Sequence, residues 1–318
     1  MKLSVLARDH DLLGVEGQVE RDATTFPGGA AQRAGSSGAV LIEDQPERGL
    51  GRALSWAARH GVDDLHVLVE ARAGQLARQA AAFAVPPKVW WVQERDLHAV
   101  EPEPIPPAIA PSAAALALAP DIEAAGATVV VEHGAVTGEV LGLEVARVVE
   151  HDLGVSLEVG IGRHDREAFA IIHGDRPAAE ALAGVVASVQ GNRRAGAPEQ
   201  PLHRLAQERW LREVVLSRPE LVGASGLERH EGPLPRPNVK DPWPAVAVGG
   251  GTVAVCSTGV DLDLVAFAAD ARLHADPGAR LVLVVPERDA HAVTRELAAA
   301  LARPAEIVTV PAEWRELL

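Results

Sequence analysis

The sequence predicts a protein of mixed α/β and α+β class, and three observations support this. Short apolar runs alternate with longer segments in which apolar residues recur every three or four positions, the spacing of amphipathic helices. Proline-rich segments interrupt this pattern twice. The chain of 318 residues is 47% apolar and 23% charged, which is ordinary for a globular protein with more than one core.

The two proline-rich segments predict the domain boundaries. They are "EPEPIPPAIAP" at 101–111 and "GPLPRPNVKDPWP" at 232–244. Proline has no amide donor and disfavours helix at the residue before it, so both segments are typical of linkers. They separate an N-terminal part at 1–100, a central part at 112–231 and a C-terminal part at 245–318.

The two outer parts share one pattern. The N-terminal part contains "GAVLIED", "GLGRALSWAARHG", "LHVLVEAR", "QLARQAAAFA" and "PPKVWWV", and the C-terminal part contains "GTVAVCS", "LDLVAFAADARLHA", "RLVLVVPER", "VTRELAAALA" and "RPAEIVTV". Each predicts β-α-β-α-β with buried parallel strands. The "GGG" at 249–251 precedes a strand and predicts a turn.

This repeated pattern resembles a Rossmann-like half-domain that is present twice. Duplication and independent convergence on the same pattern both explain the similarity. A single unit of this kind leaves the edges of its sheet exposed. The two copies are therefore expected to pack together, or one of them to form a homodimer.

Charge and composition restrict the classes of partner. The formal net charge is −14, and such a chain repels phosphate backbones unless it carries a local basic patch. The single cysteine, Cys256, excludes an internal disulfide and a cysteine-rich zinc site. The N-terminus lacks the apolar core of a signal peptide, and no apolar run reaches the roughly 18 residues of a membrane span. These features predict a cytoplasmic protein without a membrane partner.

The loop after the first strand of the C-terminal part is a candidate cofactor-binding site. Ligands of parallel sheets bind beyond the carboxyl ends of the strands. Ser257, Thr258 and Gly259 precede a predicted helix whose first amides suit a phosphate. Asp261 and Asp263 lie in the same turn and would repel a phosphate; in the alternative interpretation they cap the helix. No G-x-G-x-x-G follows either first strand and no Walker motif is present, so NAD, FAD and ATP are not supported.

The central part predicts the order α-β-β-β-α-α. Its strands are "TVVVEH", "GEVLGLEVARVV" and "VSLEVGIG", and the last two carry Glu144 and Glu158. Alternation along one continuous strand places Glu144 and Arg147 on opposite faces. If the turn is centred near Asp152, Arg147 stands opposite Glu158. One interpretation is an ordinary hairpin in which Glu158 pairs with Arg147 and Glu144 lies on a solvated face.

The same acids also support a second interpretation. An α-β-β-β-α unit with an acid on its second strand, and an acid followed by a lysine on its third, resembles the core of the PD-(D/E)xK nucleases. The resemblance implies that Glu144 and Glu158 are catalytic and hold a divalent metal, Mg²⁺ or Mn²⁺, for phosphodiester hydrolysis. Gly160 occupies the position of the family's lysine. An active enzyme and an inactive protein with the same fold therefore both stay open.

The segment "GRHDREAF" at 162–169 adds one candidate catalytic residue. His164 lies beside Asp165 and Glu167, and an imidazole flanked by carboxylates suits a metal ligand or a general base. Arg163 or His164 would then replace the positive charge of the missing lysine. The alternative is a solvated loop in which Asp165 caps the next helix.

The most basic stretch of the chain, at 192–218, predicts nucleic-acid contacts. Arg193, Arg194 and Arg204 lie there near Trp210, and arginine with an aromatic residue is typical of surfaces that bind phosphates and stack on bases. Acids are interleaved with these arginines. These acids favour an alternative in which Trp210 faces a core and the arginines pair with glutamates.

Two functions of different classes follow from these observations. The first is a metal-dependent nuclease-like protein, active or degenerate, that acts on nucleic acid through the central part. The second is a non-enzymatic ligand-binding or regulatory protein. In that case the paired Rossmann-like units would bind a small nucleotide-like ligand at the loop 256–264.

Overall fold

The structure is a computed structural model that describes residues 2–14, 22–152, 154–173 and 177–318, with the backbone alone at 169–173. Its helices are α1 (Lys2–Asp9), α2 (Leu50–His60), α3 (Ala73–Ala80), α4 (Ala113–Leu116), α5 (Ala119–Ala124), α6 (Gly162–His173), α7 (Ala178–Asn192), α8 (Gln207–Ser217), α9 (Leu264–Ala275) and α10 (Ala292–Ala300). Its strands are β1 (Asp22–Phe26), β2 (Gly29–Ala34), β3 (Ser37–Ile42), β4 (Asp64–Val69), β5 (Lys88–Gln93), β6 (Asp96–Ala99), β7 (Thr128–Glu132), β8 (Ala135–Val140), β9 (Leu143–His151), β10 (Gly154–Val159), β11 (Glu228–His230), β12 (Ala245–Gly249), β13 (Thr252–Cys256), β14 (Arg280–Pro286) and β15 (Glu306–Val310).

The chain forms two compact units. Unit 1 comprises Met1–Ile105, Val260–Leu273 and Ala290–Ile307. Its six-stranded sheet has the order β1-β2-β3-β4-β5-β6. The central strands β3, β4 and β5 are parallel, whereas β1, β2 and β6 extend the sheet in antiparallel fashion.

The β-α-β-α-β order predicted for the N-terminal part is present as β3-α2-β4-α3-β5. Parallel strands need a crossover connection, and α2 and α3 supply it. The N-terminal helix α1 packs Leu3 and Leu6 against Leu41, Leu68 and Val92 in one buried cluster. The hairpin of β1 and β2 was not predicted, because "GGAAQRAG" lacks the β-branched residues typical of strands.

A carboxylate from a distant part of the chain caps α2 in unit 1. The amide of Gly51 donates to Oδ1 of Asp263 at 2.8 Å, and Arg48 forms an ion pair with Asp261. A Cβ at position 51 would lie 1.9 Å from the carbonyl oxygen of Leu262, so this close approach requires glycine. Asp263 lies just before α9, as the capping interpretation assumed, but its side chain caps α2.

Asp263 is expected to make the stability of unit 1 depend on pH. Burial raises the pKa of Asp263 to about 7, and the neighbouring Asp261 adds to the shift. The unfolded chain releases this proton near the ordinary pKa of 3.8, so between the two values only the folded state keeps it. This contribution to the free energy of unfolding is therefore fully present below the lower value. It falls as pH rises between the two values, by at most about 1.4 kcal/mol per pH unit, and is lost above the folded pKa.

Urea unfolding of Asp263→Asn and of the wild type, across the pH range between these two pKa values, checks this expectation. Asparagine keeps an oxygen acceptor for the amide of Gly51 but has no proton to release. The variant should lose this part of the pH dependence and be the more stable protein on the alkaline side. If both proteins show the same slope, the carboxyl of Asp263 is not the group responsible.

Unit 2 comprises Pro106–Gly259, His274–Asp289 and Val308–Leu318, and its first sheet has the order β10-β9-β8-β7. The segment "GEVLGLEVARVV", which we predicted as one strand, forms both β8 and β9. Between them Leu141 and Gly142 take positive φ values of 47° and 75°, as a tight two-residue hairpin turn requires. The single-strand prediction is wrong because Gly142 is the only usual turn residue here, whereas leucine rarely adopts a positive φ and the pair Leu-Gly is not a typical hairpin turn.

A β-bulge decides which side chains of β9 share a face. The pairing of β8 with β9 shifts by one residue at Gly138 and Glu139, which leaves Val145 as an extra residue in β9. Glu144 and Arg147 therefore lie on the same face and form an ion pair. The prediction that Glu144 lies on a solvated face is wrong, since the residue is 3% exposed.

The hairpin of β9 and β10 has the predicted register. Arg147 stands opposite Glu158, which confirms the expected alignment. Leu153 lies outside the described residues. The ion pair of Glu158 is formed with Arg166 of α6 at 3.3 Å. The register of this hairpin was thus predictable from the sequence, whereas the ion-pair partner of Glu158 lies on helix α6 and was not predicted.

The second sheet of unit 2 has the order β11-β12-β13-β14-β15. Strands β12 and β13 are antiparallel and turn at Gly250 and Gly251, whose φ values of 53° and 68° confirm the predicted turn. Strands β13 and β14 are parallel. Trp210 of α8 and Trp314 pack with Ala254 of β13 in one buried cluster. This sheet and α8 position the site described below.

The sheets and helices confirm the predicted mixed α/β and α+β class. The three predicted parts do not correspond to the two units, because the C-terminal part at 245–318 contributes to both. The unit boundary after Ile105 lies inside the predicted linker at 101–111.

In the described ranges, no helix is long and apolar enough to cross a membrane. The Rossmann-like resemblance and the duplication stay predictions.

Candidate functional site

Glu144 and Glu158 meet at one arginine. Nη1 of Arg166 lies 2.8 Å from Oε1 of Glu144, and Nε of Arg166 lies 3.3 Å from Oε2 of Glu158. Arg147 donates two further hydrogen bonds to Glu144, at 2.9 and 2.8 Å. Arg236 lies 3.5 Å from the same carboxylate. The two acids therefore belong to one cluster, but the groups around them are guanidiniums.

The charge of Glu144 is already compensated by its neighbours. Burial opposes its ionisation, but Arg147, Arg236 and Arg166 outweigh burial and hold the pKa of Glu144 below its usual value. A divalent cation would have to enter among these guanidiniums, and like charges repel strongly in a buried site.

The donor set does not fit Mg²⁺ or Mn²⁺. These ions prefer several carboxylate oxygens together with water. Within the part of the chain that the structure describes, no three or more His, Cys, Asp or Glu side chains form a group suited to a metal ion.

A second set of buried ion pairs in unit 2 was not predicted. Arg209 contacts both Glu132 and Glu139, while Arg212 lies 3.0 Å from Glu132 and 3.4 Å from Glu139. The side chains of Arg212 and Glu139 are 1% and 2% exposed. The acids lie on two strands and the arginines on a helix far along the chain. The three-residue spacing of the arginines was the one available signal, because it puts both on one helix face.

His164 lies apart from these acids. Its side chain is 93% exposed, and its Nδ1 lies 3.5 Å from Glu167. The residue belongs to the first turn of α6, where Asp165 accepts a hydrogen bond from the amide of Ile161 at 2.6 Å. The segment is thus the beginning of a helix with Asp165 at its N-terminal end. The imidazole faces water, whereas Glu144 is buried.

Arg193 is a core residue rather than a surface residue. It is 1% exposed and donates to the carbonyl oxygens of Leu141, Leu202 and Leu205. Its guanidinium also lies 4.7 Å from the ring centroid of Trp210. Arg193 therefore orders the backbone between α7 and α8. Of the three predicted nucleic-acid contacts, Arg194 and Arg204 have exposed side chains.

The loop after β13 lies at the carboxyl ends of two parallel strands. Ser257 continues the ladder to β14 through its amide and is 1% exposed. The hydroxyl of Thr258 donates to Oε1 of Glu208 at 2.7 Å. The amide of Gly259 donates to Oδ2 of Asp289 at 2.8 Å. Carboxylates therefore hold this loop in place, and Ser257 is directed into the core.

A cavity of about 180 Å³ opens beside this loop, and we call it the strand-end site. It is lined by Arg204, Gln207, Glu208, Lys240, Pro242, Thr258, Gly259 and Arg288. The cavity lining includes residues from two separate predictions, namely the loop residues Thr258 and Gly259 and the predicted nucleic-acid contact Arg204. Arg194 is not among the lining residues.

The strand-end site carries an excess of positive charge. Arg204, Lys240 and Arg288 are exposed and line the cavity, and Glu208 is the single carboxylate among its described lining residues. Neither Arg204 nor Lys240 forms an ion pair with any residue that the structure describes. In a chain with a net charge of −14, this convergence of cations is a local basic patch.

The N-terminal end of α8 also faces the strand-end site. Gln207 and Glu208 are the first residues of this helix, and its N-cap residue, Ala206, has no side chain that could form a capping hydrogen bond. The first amides of a helix and its dipole both attract anions. The site thus combines a helix terminus, a loop at strand ends and three cations, which suits a phosphate group.

Lys240 and Arg288 were not predicted as site residues. Arg288 follows β14, so the rule that ligands bind at the carboxyl ends of parallel strands could have included it. Lys240 lies in a segment that we predicted to be a linker. It is one of only three lysines in the chain, but nothing in its local sequence relates it to the loop after β13.

Comparisons with protein-family models, with curated proteins and with solved structures found no match to this chain. Its function is therefore inferred from the chemistry of its own side chains.

Proposed function

We propose that the protein binds a small phosphate-bearing ligand at the strand-end site and acts through binding rather than through metal-dependent hydrolysis. The observation that carries this proposal is the convergence of Arg204, Lys240 and Arg288 on one cavity at the carboxyl ends of parallel strands. An anionic ligand would provide a counter-charge for Arg204 and Lys240, which form no ion pair with the described residues. It would also meet the N-terminal end of α8.

The size and charge of the site favour a ligand with more than one negative charge. A single water needs only about 10–15 Å³, so a cavity of about 180 Å³ holds a much larger group. Arginine and lysine side chains are the usual partners of phosphate oxygens. The positive charges of three side chains match the several negative charges of a diphosphate better than the one charge of a carboxylate. A nucleoside diphosphate or a similar phosphorylated metabolite is the proposed class.

Two observations favour binding over catalysis. Burial raises the pKa of the Cys256 thiol, which lies at the end of β13, to about 12, so this thiol is a poor nucleophile. The Glu144 carboxylate, the first metal ligand of the nuclease interpretation, is surrounded by guanidiniums. The proposed function is therefore closer to the ligand-binding alternative than to the nuclease interpretation.

Isothermal titration of pyrophosphate and of adenosine diphosphate into the full-length protein tests the proposal. The double variant Lys240→Gln plus Arg288→Gln should bind at least about tenfold more weakly, since each tenfold change corresponds to about 1.4 kcal/mol of binding free energy. Both side chains are exposed, so the variant is expected to fold normally.

The matched control is Lys88→Gln plus Arg163→Gln. It removes the same two charges from exposed positions outside the strand-end site. Binding by the control should equal that of the wild type. Equal weakening in both double variants would indicate a general charge effect, and no binding of either probe by the wild type would contradict the proposal.

A further inference from the structure

A second cavity of about 170 Å³ lies in unit 2 among the buried arginines and glutamates, and we call it the arginine cavity. Its charged lining residues, together with His133, are Glu132, Glu144, Arg147, Arg209 and Arg236. It shares no lining residue with the strand-end site. Arg147 is 37% exposed, so the cavity reaches solvent on that side.

The ion-pair network around the arginine cavity has more cations than anions. Its guanidiniums are Arg147, Arg166, Arg209, Arg212, Arg229 and Arg236, and its carboxylates are Glu132, Glu139, Glu144, Glu158 and Glu213. Each of these guanidiniums except Arg236 has at least one carboxylate oxygen within 3.0 Å. The surplus charge therefore falls on Arg236.

Arg236 is buried without adequate partners. Its side chain is 8% exposed, and its nearest carboxylate oxygen, on Glu144, lies 3.5 Å away. Its Nη1 is buried and has no hydrogen-bond partner among the described residues. Burial lowers the pKa of Arg236 to about 10, with the neighbouring Arg209 adding to the shift. A buried donor without an acceptor is unfavourable, and native proteins usually satisfy such groups with a ligand, an ion or water.

We propose that the arginine cavity binds a phosphate-class oxyanion, with Arg236 as its principal donor and Arg147 and Arg209 beside it. A guanidinium presents donors in a planar fork that matches two oxygens of a phosphate. The glutamates act as counter-ions that hold the other guanidiniums in place. The cluster that the nuclease interpretation assigned to a metal would thus bind the phosphate directly through arginine.

Titration of inorganic phosphate into the variant Lys240→Gln plus Arg288→Gln tests this second site. The background removes two cations of the strand-end site, so the remaining binding reports on the arginine cavity. Adding Arg236→Gln should weaken phosphate binding by at least about tenfold. Adding Arg229→Gln is the control, because Arg229 pairs with Glu213 and does not line the cavity.

The outcomes of this experiment are distinct from those for the strand-end site. Loss of binding with Arg236→Gln but not with Arg229→Gln supports the arginine cavity, even if pyrophosphate fails to bind elsewhere. Unchanged binding with Arg236→Gln overturns the inference, and so does a background variant that binds neither inorganic phosphate nor the oligonucleotide described below. If Arg236→Gln does not fold, Arg147→Gln at the exposed rim must show the same weakening.

A second titration separates two sources of the phosphate group. A single-stranded oligonucleotide without terminal phosphates offers only phosphodiesters, whereas inorganic phosphate offers a free dianion. Arg236-dependent binding of the oligonucleotide would identify nucleic acid as the source, and Arg236-dependent binding of inorganic phosphate alone would identify a free phosphate. Binding of neither probe overturns the inference.

Discussion

Replacing Glu144 with alanine should lower the free energy of unfolding of unit 2 by about 3–5 kcal/mol. The Glu144 carboxylate is the shared partner of Arg147, Arg166 and Arg236, and its side chain is 4% exposed. Without it, these guanidiniums lose their common counter-charge. The penalty for leaving a charge buried and unpaired exceeds the energy of the lost contacts alone.

Glu144→Gln and Glu158→Ala are the matched variants. Glutamine keeps the volume and one oxygen acceptor, so the loss should be smaller than with alanine. Glu158 is 35% exposed and has one ion pair at 3.3 Å, so its removal should change stability by only about 0–1 kcal/mol. Because the chain has two compact units, hydrogen exchange measured on peptides of β8 and β9 is the suitable probe.

The same variants distinguish a counter-ion from a metal ligand. A carboxylate kept for a metal is repelled by the other acids of its site when no metal is bound, so its removal would stabilise the protein or leave it unchanged. Calorimetric titration of Mn²⁺ into the wild type should show no stoichiometric binding. Binding that is lost on Glu144→Ala plus Glu158→Ala would instead restore the nuclease interpretation.

Replacing Asp270 with alanine should destabilise unit 1 by a similar amount, about 3–5 kcal/mol. Nε and Nη2 of Arg78 each lie 3.0 Å from an oxygen of Asp270, which is the bidentate geometry of a strong ion pair. The two side chains are 4% and 1% exposed. Arg78 also donates to the carbonyl oxygens of Glu103 and Pro104. The variant would leave Arg78 buried without its carboxylate.

Faster hydrogen exchange in peptides of α3 and α9, together with a lower urea midpoint, would show the effect. The control is Glu70→Ala, which breaks the exposed ion pair with Lys2 in the same unit. Exposed pairs contribute about 0–1 kcal/mol, so the control should resemble the wild type. Equal stability of Asp270→Ala and Glu70→Ala would contradict a stabilising role for the buried pair.

The fold class could be predicted because it depends on local patterns. Short apolar runs marked β3, β4, β13 and β14 as buried parallel strands, and helical spacing marked α2 and α9. The turn at Gly250 and Gly251 and the register of Arg147 with Glu158 also followed from local sequence. Each of these features is determined by residues only a few positions apart.

The strand prediction for the central part was wrong where the backbone departs from the regular alternation of a strand. A tight turn at Leu141 split one predicted strand, and the extra residue Val145 reversed the expected relation between Glu144 and Arg147. The turn contains one usual turn residue, Gly142, beside a leucine that rarely takes a positive φ, and no residue type marks the bulge. Side-chain direction in a strand has a period of two, so one inserted residue reverses every later assignment.

Local sequence was sufficient to predict the types of element, most of their order and the loop at 257–259 as a candidate site. Which charges lie close together depends on how distant segments pack. Lys240 and Arg288 lie beside that loop, Arg193 is buried, and Arg236 lies 3.5 Å from the carboxylate of Glu144. The physical reason is that charges act over a few ångströms in space. Their partners here come from segments far apart in the chain, and no local pattern records that proximity.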